Sequence, residues 1–358
     1  MPLSKISINN FRCFENIDLI LSPGINFFYG PNGSGKTSIL ESVYLFSSGK
    51  SFKSSNLTSL IKYQNERFFL KGYDSDKGHI VEIEKNQNRP ISISLNNKKI
   101  ATNKLVRNYP CTPIHNNTFS FANASPDFRR KLLDRSIFIS HNLFSSCWFS
   151  FYRTLKQRNN SLKKYLISDI YAWNQKFSKD GERLTEFRKD FFEKTLNEFY
   201  FLINLLKPSD VFKFFDLIKI SFYRGWDESI TLLDALKKYH DADLQRKITT
   251  AGPHKSDIKF LINGVDARQI LSRGEQKFFS ILWSCAQHEV LKKHFKIDAT
   301  LIVDDITSEL DERVFKLFTS LLKHIKTQVI FSCIEDCFSS KMIESFNEFK
   351  KFHVEHLG

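Results

Sequence analysis

The chain has 358 residues, of which 41% are hydrophobic, so it can build a sizeable core in two or three domains. Its 53 Lys and Arg residues outnumber its 39 Asp and Glu residues, and the net charge of +14 makes a polyanionic partner a candidate. No run of about 18 apolar residues occurs, so no membrane-spanning helix and no signal peptide are expected. Six scattered cysteines without a C-x-x-C pair are typical of reduced thiols in a cytosolic protein.

The first part of the chain alternates apolar and polar residues in short segments. These segments predict strands at residues 3–8, 15–21, 25–29, 67–73, 79–85 and 91–95. Apolar residues at helical spacing follow the third strand over residues 38–47. Residues 1–115 therefore predict the first half of an α/β nucleotide-binding lobe with an antiparallel β flank.

A phosphate-binding loop is predicted between the third strand and this helix. Residues 30–37 follow the pattern G-x-x-x-x-G-K-[ST], whose glycines turn backbone N–H groups toward a phosphate at the start of a helix. Lys36 is expected to reach the β- and γ-phosphates, and the Thr37 hydroxyl to hold Mg²⁺. The predicted ATP site comprises Gly30, Pro31, Asn32, Gly33, Ser34, Gly35, Lys36 and Thr37.

The middle segment, residues 116–250, predicts a mainly helical lobe that faces DNA or mediates dimerisation. Ser125 and Pro126 suit a helix start, with Ser as the cap and Pro in the first position. Helices are expected over 142–167, 184–206 and 228–240, and a strand over 210–223. A lobe of this length is of ordinary domain size.

A basic run occupies residues 151–164, which contain no acidic residue. On a helix these side chains would contact DNA phosphates without distinguishing between bases. The alternative is a solvated basic face with no ligand. The candidate DNA contacts are Arg153, Lys156, Arg158, Lys163 and Lys164.

The last segment, residues 251–358, returns to α/β character. Its strands are predicted at 258–262, 299–303, 329–331 and 352–354, with helices from 271 to about 291 and over 307–324. The buried strand at 299–303 ends in Asp304 and Asp305, as a Walker B strand does. Asp304 would hold the Mg²⁺ shell, and Asp305 would orient or deprotonate the attacking water, so Lys36, Asp304 and Asp305 are the candidate catalytic residues. A solvated acidic turn is the alternative for Asp304 and Asp305.

Two further motifs resemble those of ABC-type ATPases. Residues 271–275, Leu-Ser-Arg-Gly-Glu, resemble the signature, in which Ser272 and Gly274 would bind the γ-phosphate held by the opposite subunit. Residues 308–311, Ser-Glu-Leu-Asp, resemble the D-loop. The motifs imply an ATP-dependent homodimer and an ABC-type P-loop ATPase head, with a mixed sheet, an antiparallel β flank and an inserted helical lobe.

From end to end, the chain resembles the RecF family of bacterial recombination mediators, within the SMC-like ABC ATPases. The matching stretches are residues 10–12, 30–37, 125–134, 155–159, 252–257 and 301–311. The resemblance implies a cytoplasmic, nucleoid-associated protein that binds ATP with Mg²⁺ and duplex or gapped DNA or a junction of single and double strands. It would act in DNA repair, recombination and replication after DNA damage and in the SOS response, helping RecR and RecO to load RecA.

Several positions depart from the motifs of the wider class. Glu275 stands where Gln is common, Asp305 where Glu is common, and Ser332 and Cys333 occupy the switch position. No glutamine occurs over 112–117, where a Q-loop would lie. These departures predict slow, DNA-stimulated hydrolysis, or alternatively an ATP-binding DNA scaffold whose hydrolysis has lapsed. A transporter ATPase subunit is disfavoured by the helical insertion and the basic charge, and a small-molecule kinase would not need the signature.

Overall fold

The structure, a computed structural model, describes residues 3–115, 121–207, 212, 215–304, 312–334 and 346–356. The chain divides into two compact units. The first comprises residues 1–120, 206–211 and 273–358, and the second comprises residues 121–205 and 212–272. The second unit therefore extends to residue 272, whereas the sequence analysis placed the return to the nucleotide-binding lobe at 251. The roles assigned to the three sequence segments stay predictions.

Most strands follow the predicted positions closely, whereas the strands at residues 98–99, 111–114 and 265–266 were not predicted. In chain order they are β1 (Lys5–Phe11), β2 (Phe14–Ile20), β3 (Ile25–Tyr29), β4 (Arg67–Asp74), β5 (His79–Asn86), β6 (Ser92–Leu95), β7 (Lys98–Lys99), β8 (Cys111–Ile114), β9 (Ile218–Tyr223), β10 (Asp257–Ile262), β11 (Val265–Asp266), β12 (Thr300–Val303), β13 (Val329–Cys333) and β14 (Phe349–His353).

Two sheets build the first unit. One has the order β2-β1-β4-β5-β6-β7 and is antiparallel throughout, so the predicted antiparallel flank is confirmed. The other has the order β14-β3-β13-β12-β8, and all its pairs are parallel. Strands β12 and β13 are buried at every residue and are mostly apolar, as expected of a sheet that is covered on both faces. Parallel strands end at one edge, so the segments that follow them meet there.

Helices complete the first unit. They are Lys36–Ser48, Thr102–Asn108, Arg273–Phe295 and Glu312–Ile325, with 3-10 turns at Leu57–Leu60 and Val354–His356. The helix Lys36–Ser48, the phosphate-loop helix, joins both sheets in one core cluster. Its Leu40 and Phe46 are fully buried together with Ile83 of β5 and with Phe28 and Ile330 of the parallel sheet. This packing fixes the position of the helix and therefore of Lys36, its first residue.

The second unit is mainly helical with a small antiparallel sheet in the order β11-β10-β9. Its helices are Pro126–Ser140, Phe144–Lys163, Ile167–Leu206, Leu232–Lys238, His240–Arg246 and Ala267–Ile270, with 3-10 turns at Phe215–Leu217 and Pro253–Lys255. The predicted helix start is confirmed, because the Ser125 side chain accepts a hydrogen bond from the Phe128 N–H and Pro126 occupies the first turn. Within the described residues, no helix is long and apolar enough to span a bilayer.

Some predicted bounds in this unit are wrong. The helix expected over 142–167 ends at Lys163, and the next helix begins at Ile167 rather than near 184. The intervening turn contains neither Gly nor Pro, so the sequence carries no breaker there. Among the described residues of the strand expected over 210–223, Ile218–Tyr223 form the strand. The helix expected at 228–240 begins at Leu232 and is followed by a second short helix.

Buried arginines fix the stretch around Pro253–Lys255 within the second unit. Arg129 donates two hydrogen bonds of 2.8 Å to the carboxylate of Asp257. Arg188 is fully buried and binds Asp134 through two bonds of 2.8 Å, while it also donates to the Ser256 hydroxyl over 3.1 Å. Such two-pronged pairs fix geometry as well as charge. They connect two of the stretches, 125–134 and 252–257, on which the family resemblance rests.

Candidate nucleotide and DNA sites

The phosphate loop has the backbone that its glycines predict. Gly30, Gly33 and Gly35 have φ values of 149°, 85° and 107°, in the region that favours glycine. A Cβ atom at Gly35 would lie 2.5 Å from the Phe14 ring and 2.7 Å from Cys13 Sγ, whereas nothing lies within 4 Å of one at Gly33. Gly35 is therefore required by both conformation and space.

Lys36 lies at the start of the phosphate-loop helix with only 6% of its surface exposed. Its Nζ donates to the backbone oxygens of Gly30 over 2.8 Å and of Pro31 over 2.7 Å. The ammonium group thus lies against the loop that would hold the phosphates. The Ser34 hydroxyl is also buried there and has no hydrogen-bond partner among the described residues. A donor and a cation in this loop suit an anionic ligand.

The parallel sheet brings the second part of the site to the same edge. Asp304 follows β12 and is nearly buried. Its Oδ1 accepts hydrogen bonds from the Thr37 hydroxyl over 3.1 Å and from the Ser332 hydroxyl over 2.8 Å. Thr37 and Asp304 lie 267 positions apart in the chain, and the structure joins them as the motifs predict. The sequence places Ser332 at the switch position, where many relatives have His, and gives no signal for its bond to Asp304.

The Thr37 hydroxyl and the Asp304 carboxylate are hard oxygen donors, which Mg²⁺ prefers. Among the described residues, no group of three or more His, Cys, Asp or Glu side chains could form a metal site. Mg²⁺ is commonly held by one or two carboxylates together with waters and substrate phosphates. The Thr37 and Asp304 oxygens therefore fit a magnesium–nucleotide complex.

The signature residues flank the start of the helix Arg273–Phe295. Ser272 directly precedes it and is exposed, and Gly274 lies in its first turn. Glu275, the departure from the usual signature, is 9% exposed, so it does not extend freely into solvent. Asp305 and the D-loop-like residues 308–311 lie outside the described residues.

Two other pairs of side chains in the first unit connect the phosphate-loop helix and β8 to other parts of the chain. Arg12, from the first matching stretch, binds the buried Glu41 of the phosphate-loop helix through bonds of 2.9 Å and 3.1 Å. His288 of the signature helix lies 3.0 Å from the Thr112 hydroxyl in β8, the strand before the missing Q-loop glutamine. Burial lowers the pKa of His288 to about 3, so its ring is neutral. Neither pairing had a signal in the sequence.

The candidate DNA contacts lie on the helix Phe144–Lys163, here called the basic helix, and its cap. Arg153, Lys156, Lys163 and Lys164 are exposed. Arg158 is fully buried, so the prediction that it contacts DNA is wrong. Its guanidinium donates to Asp243 over 2.7 Å, to Thr249 over 2.7 Å and to Asn174 over 2.8 Å. It is a structural residue of the second unit.

Comparisons with known proteins agree with this arrangement. A family model described as the RecF/RecN/SMC N terminal domain matches residues 2–355. The chain is 32% identical to the DNA replication and repair protein RecF of Pseudoalteromonas translucida, over 99% of this chain and 98% of that protein. It is 31% identical to the protein of the same name from Aliivibrio fischeri, over the same shares.

Solved structures share the fold. The structure of the recombination mediator protein RecF with ATP, in the RecFOR pathway, matches with a TM-score of 0.78 and 24% identity, over 99% of this chain and 96% of that one. An Smc head bound to the C-winged helix domain of ScpA matches with a TM-score of 0.58 and 14% identity, over 98% and 94%. The predicted ABC-type ATPase head, with its mixed α/β fold and helical insertion, is confirmed.

Proposed function

The chain belongs to the RecF family, within the wider RecF/RecN/SMC family, and on that premise we propose that it binds ATP and DNA as a recombination mediator in DNA replication and repair. The observation that carries the proposal is the convergence of Lys36, Thr37 and Asp304 at the carboxyl edge of the parallel sheet. That convergence supplies a cation and oxygen ligands for a triphosphate on a loop whose backbone can bind phosphate.

Lys36 would exchange its bonds to the Gly30 and Pro31 carbonyls for phosphate oxygens when ATP binds. The Ser34 hydroxyl, which is buried and has no partner in the part of the chain that the structure describes, would gain an acceptor. The Thr37 hydroxyl and Asp304 would hold Mg²⁺, which supplies positive charge that stabilises the phosphoryl transition state when it is bound. The residues of the loop, 30–37, thereby bind the nucleotide before any hydrolysis occurs.

For hydrolysis, Asp305 would orient or deprotonate the attacking water. Ser272 and Gly274 would contact the γ-phosphate across an ATP-dependent homodimer, because signature residues at a helix start suit that charge. We expect slow hydrolysis that DNA stimulates. Two observations favour an alternative, an ATP-binding DNA scaffold with lapsed hydrolysis. Glu275 adds a negative charge in the first turn of the signature helix, and Ser332 rather than His stands beside Asp304.

DNA would bind along the exposed side of the basic helix. Arg153, Lys156 and Lys163 follow each other at spacings of three and seven positions, so they lie along one side of the helix, and Lys164 caps its end. Contacts from such side chains go to phosphates, which fits duplex or gapped DNA of any sequence. We also propose that the protein recruits RecR and acts in the same process as RecO and RecA. Its proposed location is cytoplasmic and nucleoid-associated.

The proposal is tested by the ATP hydrolysis rate of the purified protein with and without double-stranded DNA, with Lys36→Ala as the blank. We expect a slow rate that DNA raises and that the substitution abolishes. Bound ATP with no hydrolysis in either condition would favour the scaffold. Failure to bind ATP at all would overturn the assignment of residues 30–37.

A further inference from the structure

An exposed apolar patch lies where the basic helix turns into the helix Ile167–Leu206. Its residues, here called the tip patch, are Tyr165, Leu166, Ile167, Tyr171 and Ile248, with 56%, 43%, 41%, 55% and 42% of their surfaces exposed. Lys247, which precedes Ile248, places its Nζ 5.5 Å from the centre of the Tyr165 ring. Tyr171 stacks on His240 with ring centres 5.4 Å apart and an interplanar angle of 17°. Three segments of the second unit therefore meet in one aromatic surface.

The tip patch is bordered by exposed basic side chains. Lys163, Lys164, Arg246 and Lys247 are all exposed, and in the described part of the chain none of them forms an ion pair. Asp169 and Asp241 are the exposed acids on the same segments, so the surface keeps a basic balance. Unpaired cations beside open aromatic rings suit a ligand that is both anionic and planar.

The backbone that presents the patch is fixed and locally unusual. Arg158 binds Asp243 and Thr249 in the buried interior, which ties the basic helix to the segment that carries Lys247. Tyr165 and Lys247 have φ values of 54° and 56°, in the region that favours glycine. Among the described non-glycine residues in that region, Tyr165 is the only aromatic one. Both residues lie at the end of a helix, where a left-handed backbone commonly terminates the helix, so they fix the turns that present the patch.

We propose that the tip patch is a stacking platform for the unpaired bases of a single DNA strand. Tyr165 and Tyr171 would stack on bases, and the neighbouring lysines would bind the phosphates on either side, the combination used to bind single strands without sequence preference. The patch continues the exposed side of the basic helix at Lys163, so a strand leaving a duplex there would reach it. A second copy of the chain is disfavoured because two basic patches would then face each other.

The inference rests on the proposed DNA-binding function and adds the kind of DNA that this part of the chain recognises. It is tested with the full chain in ATP and Mg²⁺, by fluorescence anisotropy with an oligodeoxythymidine of about 16 nucleotides and with a blunt duplex of the same length. Tyr165→Ala and Tyr171→Ala should each weaken binding of the single strand by about fivefold or more. Duplex binding should change little.

Three controls separate stacking from other effects. Tyr165→Phe and Tyr171→Phe keep the ring and should keep the affinity. Tyr63→Ala removes a tyrosine that is 85% exposed in the first unit and should change nothing. Replacing both Lys163 and Lys164 by Ala should reduce the slope of log affinity against log salt by about 0.7 for each lost phosphate contact. The tyrosine variants should leave that slope unchanged.

Equal affinity of the Ala and native proteins for the single strand overturns the inference and leaves the patch as a contact for a protein partner. An equal loss of single-strand affinity in the Phe and Ala variants also overturns the inference. If the duplex still binds in a manner that depends on Arg153 and Lys156, the proposed function survives that failure. If the protein binds neither the single strand nor the duplex, both the inference and the proposed DNA-binding function are refuted. Thermal unfolding of each variant checks that the fold is intact.

Discussion

Replacing Arg158 by Ala should destabilise the second unit without removing a DNA contact. The side chain is fully buried and donates hydrogen bonds to Asn174, Asp243 and Thr249. Removing one partner of a buried ion pair costs about 3–5 kcal/mol, because the remaining charge is left without compensation. Asp243 would keep the N–H and hydroxyl bonds from Thr250, at 2.9 Å and 2.6 Å, so we expect about 3 kcal/mol, at the lower end of that range.

For a unit of this size, about 3 kcal/mol corresponds to a fall in melting temperature of roughly 6–12 °C. Scanning calorimetry measures it, with Arg153→Ala on the exposed side of the same helix as the matched control. That control should stay within about 0.5 kcal/mol of the native stability while weakening DNA binding and its salt dependence. Removing Asp243 together with Arg158 should cost less than the sum of the two single changes, since the pair is coupled.

The opposite pattern would refute this reasoning. If Arg158→Ala melts with the native protein yet binds DNA more weakly, the side chain contacts DNA in solution and the buried network is wrong. A combined substitution of Arg153, Lys156 and Arg158 could not distinguish these cases, because it would mix lost contacts with lost stability.

Three further outcomes follow from the site and the core. Thr37→Ala should lower ATP affinity about tenfold in Mg²⁺, at the lower end of the roughly 10–100-fold cost of losing groups that support a bound metal, and leave it unchanged in EDTA. Titration calorimetry that shows equal losses in both conditions would contradict the magnesium role. Gly35→Ala should abolish ATP binding while Gly33→Ala keeps part of it, because only a methyl group at position 35 would collide with neighbouring atoms. Equal ATP affinity of the two variants would count against the loop geometry. Burial lowers the pKa of His254 from 6.5 to about 4. Between these pH values the unfolded chain takes up a proton that the folded chain excludes, so stability should fall as the pH drops from about 6.5 to about 4. His254→Asn should flatten that part of a thermal-unfolding profile, and an unchanged profile would show that this histidine does not cause the fall.

The nucleotide loop was predictable because its signal is local. A short buried strand, a glycine-rich turn and an amphipathic helix determine one another over a few residues, and the observed strand Ile25–Tyr29 and helix Lys36–Ser48 lie where the pattern puts them. Asp304 was also predictable, since an apolar strand that ends in acids is expected at the carboxyl edge of a parallel sheet.

Long-range pairings were not predictable from one sequence. Arg158 is seven positions after the buried Phe151, so helical periodicity does place it on the inner face, but its partner Asp243 lies 85 positions away. The bond from Ser332 to Asp304 likewise depends on the neighbouring order of β12 and β13, which no local pattern reveals. The turn before Ile167 was missed because Tyr165 adopts a backbone for which sequence rules expect glycine or asparagine.

We propose above that ATP bound at residues 30–37 joins two copies of the chain and that the protein binds DNA, so ATP should strengthen DNA binding. The direct measurement is the affinity for a labelled duplex with and without ATP and Mg²⁺, for the native protein and for Lys36→Ala. ATP should tighten DNA binding by the native protein and have no effect on the variant. Equal affinity with and without ATP, or an equal response of the variant, would contradict it.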